Sequence, residues 1–60
     1  MTSQTLVTMV CRSEGKVKWT KRFDTTDLAI EYAEELVPNL PVYTTLEVWD
    51  TGNLVWKEEI

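Results

Sequence analysis

Val17-Lys18-Trp19-Thr20-Lys21-Arg22-Phe23 runs directly into Asp24-Thr25-Thr26-Asp27-Leu28-Ala29, and the spacing of apolar residues changes at that junction. Before it, Val17, Trp19 and Phe23 fall on one face and Lys16, Lys18, Thr20 and Arg22 on the other, the alternation of a half-buried strand. After it, Leu28, Tyr32 and Leu36 recur at helical spacing beside Ala29, Ala33 and Val37, while Asp27, Glu31, Glu34 and Glu35 occupy the opposite arc. Asp24 is the expected N-cap, with Asp27 returning the bond as a capping-box acid and Phe23 stapling against Leu28. Pro38 ends the helix, and Asn39-Leu40-Pro41 makes the corner.

Upstream, Thr5 to Arg12 is rich in β-branched and apolar residues and reads as a strand closed by Ser13-Glu14-Gly15. With Gly15 left-handed in a three-residue turn, Cys11 pairs with Val17 and Met9 with Trp19. Downstream, Val42 to Asp50 and Leu54 to Glu59 form a second hairpin through Asp50-Thr51-Gly52. A three-residue turn there opposes Val48 to Leu54 and Leu46 to Trp56 and keeps apolar residues together, whereas a two-residue turn sets Leu46 against Lys57. The inward set is then Val42, Leu46, Val48, Leu54 and Trp56. The outward set is Tyr43, Thr45, Glu47, Trp49, Val55 and Lys57. The expected architecture is α+β in the order ββαββ, a four-stranded antiparallel sheet with one helix packed on one face and no internal repeat. Sheet orders 1-2-4-3 and 2-1-3-4 both keep all neighbours antiparallel.

Residues 1–60 allow a single small domain, which at this length buries roughly 60% of the surface its unfolded chain exposes. Such chains commonly rely on disulfides, a metal or a partner. One cysteine cannot make an internal bridge, and a chain without histidine lacks the usual zinc ligands, so neither a metal nor a cofactor is expected. Cys11 reads as a buried, inert thiol suited to a reducing compartment. No apolar run is long enough to cross a membrane and Met1-Thr2-Ser3-Gln4 lacks a basic leader, so a cytoplasmic protein is expected.

No residue combination indicates catalysis. There is no histidine for general-base work, no activated nucleophile and no Gly-rich phosphate loop. The Asp50-Thr51-Gly52 tripeptide matches that of aspartic proteases but occurs once, at a hairpin turn. The net charge of −4 disfavours nucleic acid, yet Arg12, Lys16, Lys18, Lys21 and Arg22 are clustered and the acids follow them, so the charge is two-sided.

Two surfaces are candidates for a partner. The sheet face without a covering layer carries Leu6, Val10, Tyr43, Trp49 and Val55 among Arg12, Lys16, Lys18, Arg22 and Lys57, with Tyr43, Trp49, Val55, Lys18 and Arg22 as the principal contacts. The acidic helix offers Glu31, Glu34 and Glu35, a row of carboxylates able to occupy a basic channel. The expected function is non-catalytic binding of another macromolecule, a protein in first place, as an inhibitor or regulatory adaptor and as a homodimer. In composition the chain resembles the compact acidic modules that bacteriophages use to disable host or defence enzymes. The alternative is a single-stranded nucleic-acid module that stacks bases on the aromatic, basic sheet face.

Overall fold

Two β-hairpins meet along their first strands in a computed structural model that describes residues 6–60. Strand β1 spans Val7–Ser13 and β2 Lys16–Phe23; helix α1 spans Thr26–Leu36 and leads through a 3-10 turn at Val37–Asn39 to β3, Thr44–Asp50, and β4, Asn53–Glu59. The sheet is antiparallel throughout, in the order β2-β1-β3-β4, which selects one of the two orders compatible with the sequence. Thr5, expected to open the first strand, lies outside the described residues.

Both hairpins close differently from expectation. Glu14 and Gly15, at φ 53° and 82°, form a two-residue turn, and Thr51 and Gly52 repeat the same pair of angles. Two successive left-handed residues match the right-handed twist of the flanking strands better than a three-residue loop does. The apolar pattern survives because each second strand carries a bulge. Cys11 pairs with Trp19 but Arg12 with Val17, leaving Lys18 without an opposing residue. Val48 pairs with Trp56 but Trp49 with Leu54, leaving Val55 in the same situation. The pairings Cys11 with Val17, Met9 with Trp19, Val48 with Leu54 and Leu46 with Trp56 are therefore replaced. Met9 faces Lys21 and Leu46 faces Glu58. Val17 and Leu54 are consequently exposed rather than part of the core.

The hairpins are related by an approximate twofold axis that the sequence reading missed. Gly15 and Trp19 stand in the first hairpin where Gly52 and Trp56 stand in the second. Met9 pairs with Val48 and Cys11 with Leu46 on either side of the central pair Val10 and Glu47. The same symmetry relates two backbone bonds, Glu14 N–H to the Tyr43 carbonyl at 3.2 Å and Thr51 N–H to the Leu6 carbonyl at 3.1 Å. Each turn is thus tied to the chain entering the opposite hairpin, so the two hairpins support one another's ends.

Helix α1 breaks the symmetry by covering one face. Its N-cap is Thr25, whose Oγ1 accepts from the Leu28 N–H at 3.2 Å, rather than Asp24. The start moved by one residue, and so did the buried stripe. Ala29 and Ala33 are fully buried, whereas Leu28 is 49% exposed and Tyr32 lies at the margin. Small side chains at these two positions let the helix approach the sheet closely, where the longer leucine would hold it away. Met9, Cys11, Ala33 and Leu46 form one buried cluster and Val7, Ala29 and Val48 another, with Phe23 and Trp56 packed against both. Val42, expected inside, is exposed, because β3 begins only at Thr44 after a corner at Tyr43.

Candidate functional site

The sheet face away from α1 is organised around Glu47. Its neighbours Leu46 and Val48 point into the core, so the glutamate points to the uncovered side, yet it is only 8% exposed. Arg12 Nε donates to Glu47 Oε1 at 3.1 Å, and the Trp49 indole N–H donates to the same oxygen at 3.0 Å. Lys57 stands opposite Glu47 on β4 and Val10 opposite it on β1. Burial pushes the Glu47 carboxyl toward the neutral form, but the hydrogen bonds from Trp49 and Arg12 and the charges of Arg12 and Lys57 outweigh it. The carboxyl is held below the ordinary glutamate range.

Such a group is costly as a stabilising device. Desolvating a carboxylate offsets most of the attraction it gains from its partner, and apolar replacements of buried pairs are often neutral or better. What Glu47 does accomplish is geometric. It fixes an arginine and a tryptophan side by side on an open sheet face and restricts the rotamers of both before any partner arrives. In the sequence, Arg12 is one of the bases around the apolar face and Glu47 one of the outward residues of the second hairpin, with nothing that joins the two. The signal that could have found them is the diagonal placement of a carboxylate and an arginine on neighbouring strands, which needs the β1–β3 register to be known.

The other predicted contacts separate. Arg22 pairs with Thr8, which pairs with Trp49, so Arg22, Thr8 and Trp49 share a row on the open face as expected. Lys18 does not share that face: the bulge turns it toward the helix side, where it lines a hollow with Cys11. Tyr43 is outside the strand, 74% exposed at φ 67°, at the corner between the 3-10 turn and β3. Val55 is the unopposed residue of the second bulge and is exposed. Glu31, Glu34 and Glu35 are all exposed on α1, the layer opposite Trp49, so the two candidate surfaces lie on opposite sides of the molecule.

The charged groups of the open face are largely paired. Arg12 is engaged with Glu47, and Lys57 Nζ lies 3.1 Å from Glu59 Oε2. Among the described residues, no three His, Cys, Asp or Glu side chains converge as metal ligands, and no helix is long and apolar enough to cross a membrane. Cys11 is buried, and that burial pushes its thiol pKa up against a smaller lowering by Lys18. The chain matches no protein-family model, no curated protein and no solved structure with which it was compared.

Proposed function

We propose that the protein is a non-catalytic binding module that engages another protein through the open sheet face, acting as an inhibitor or regulatory adaptor. The observation that carries this reading is the Arg12–Glu47–Trp49 cluster. Tryptophan and arginine dominate interface energies, and holding them rigid in advance lowers the entropy lost on binding. A mixed face most of whose charges are already paired suits a protein partner, which can match dipoles and apolar surface locally. A phosphodiester chain draws its affinity from cations that displace counterions, and on this face Arg12 and Lys57 already lie beside Glu47 and Glu59, which leaves Arg22 as the cation without an ion pair among the described residues. The single-stranded nucleic-acid reading therefore stands second.

Self-association belongs to the proposal. A core of this size gains from burying more apolar surface, and β2 and β4 each end the sheet with a bulge and charged residues, features that oppose edge-to-edge pairing. The proposed homodimer uses the open face, in exchange with the protein partner.

The test is affinity purification with wild-type protein, Trp49→Ala, Arg12→Ala and the double variant Glu31→Lys with Glu34→Lys. A protein retained by wild type and by the helix variant, but lost with Trp49→Ala and Arg12→Ala, supports the open face. Loss only with the helix variant moves the site to the acidic layer. Recovery abolished by nuclease, with wild-type affinity for a dT oligonucleotide falling steeply as salt rises, establishes the nucleic-acid reading instead.

A further inference from the structure

The first bulge builds a second feature on the helix side, independent of the open face. Strand alternation sets Lys18 opposite to Trp19, but the unopposed position at the bulge brings both into the wall of one hollow. Its lining is Cys11 at the buried floor, Ser13 and Thr44 on the central strands, Lys18 and Trp19 on β2, and Leu40 and Pro41 from the segment after α1. The hollow is half-open and measures about 170 Å³. A cavity of about 150 Å³ accommodates a benzene molecule, so this one has room for a single ring or a branched alkyl group. No acidic residue lines it, and its one basic residue is Lys18.

The second hairpin carries different residues at the equivalent positions. Under the approximate twofold, Val48, Asp50, Val55 and Trp56 occupy the places of Cys11, Ser13, Lys18 and Trp19. There Asp50 Oδ2 accepts a 3.0 Å hydrogen bond from Thr26 Oγ1, which ties the start of α1 to that end. At the first hairpin the Leu40-Pro41 segment takes part in the wall, and the bulge position holds a lysine where its counterpart holds a valine. Bulges commonly serve to re-aim one side chain toward a site.

We propose that this hollow binds a small monocarboxylic acid carrying one ring or one branched alkyl group, its carboxylate on the Lys18 ammonium and its apolar body against Trp19, Leu40 and Pro41. Ser13 and Thr44 belong to the same wall. The charge selects the acid, and the volume limits it to one apolar group. The thiol takes no covalent part, since burial keeps it protonated.

Benzoate and its neutral isostere benzamide test the assignment by titration into isotope-labelled protein, followed through the backbone amides of Cys11, Ser13 and Thr44 and the Trp19 indole. Expected is saturable binding of benzoate confined to these signals, with benzamide weaker by about 10-fold or more, the contribution of a charge-assisted hydrogen bond. Lys18→Met should remove that preference and Lys18→Arg should keep it, with unchanged thermal midpoints certifying the fold. Equal binding of the two probes, shifts centred elsewhere, or no saturable shift overturns the proposal, and the wild-type comparison decides even if a variant fails to fold. A tripeptide ending in leucine that binds about 10-fold tighter than benzoate would assign the hollow to a chain terminus and overturn the small-acid assignment.

Discussion

Trp49 and Glu47, two positions apart on β3, share the uncovered face, and the indole N–H lies 3.0 Å from Glu47 Oε1. Same-face neighbours along a strand rarely touch unless one bends toward the other. Here the bend is secured by Arg12, which reaches the same oxygen from the adjacent strand at 3.1 Å.

Glu47→Gln keeps the shape and one acceptor while removing the charge, so stability at neutral pH should fall by about 1 kcal/mol, discounted from a fully buried pair because Arg12 is a third exposed. The folded carboxyl is held below its ordinary range, so Glu47 contributes stability above the unfolded glutamate pKa and loses it as pH falls through the folded value. Urea midpoints measured from pH 7 down to strong acid should converge for wild type and Glu47→Gln at the acid end. A constant gap at every pH would contradict the assignment.

Thr25→Ala should destabilise by about 1 kcal/mol through the lost bond to the Leu28 N–H. Thr25→Ser, which keeps an acceptor at the cap, should recover most of that loss. Thermal unfolding of the three proteins reads the difference directly.

Ala33→Leu should cost about 1 to 3 kcal/mol by forcing α1 off β1 and β3, because Ala33 has no exposed surface and packs against Met9, Cys11 and Leu46. Leu28→Ala, at a half-exposed position, should cost less than about 2 kcal/mol, below the range for a buried leucine. The reverse ranking would restore the helix face that periodicity alone suggests.

Gly52→Ala meets no atom within 4 Å, yet φ of 82° makes it unfavourable by about 1 kcal/mol. Thr51, at φ 53°, is a β-branched residue in the left-handed region, partly compensated by its 2.9 Å bond to Asp50 Oδ1. Thr51→Asn installs the preferred Asn-Gly turn and should raise the thermal midpoint. A fall would mean that the threonine bond outweighs the strain.

Sedimentation equilibrium should reveal a species near twice 7.0 kDa at high micromolar concentration, and Trp49→Ala should shift it toward monomer. A wild-type monomer throughout that range removes the homodimer from the proposed function.

Local patterns in the sequence determined element order, strand and helix type, and the antiparallel sheet with one covered face. The alternation around Trp19, the helical spacing of Ala29 and Ala33, and Gly15 and Gly52 each act over a few residues, where backbone geometry leaves few choices. Register was legible only in parity. A two-residue turn with a bulge conserves the face of Met9, Leu46 and Val48 just as a three-residue turn does, yet it changes every cross-strand partner. The choice rests on strand twist and on the bonds from Glu14 to Tyr43 and from Thr51 to Leu6, which join the two hairpins. The Arg12–Glu47–Trp49 cluster depends on how β1 meets β3, and the Lys18 hollow on where the chain after α1 comes to rest. Both bring together residues far apart in sequence, and no periodicity within a single strand encodes them.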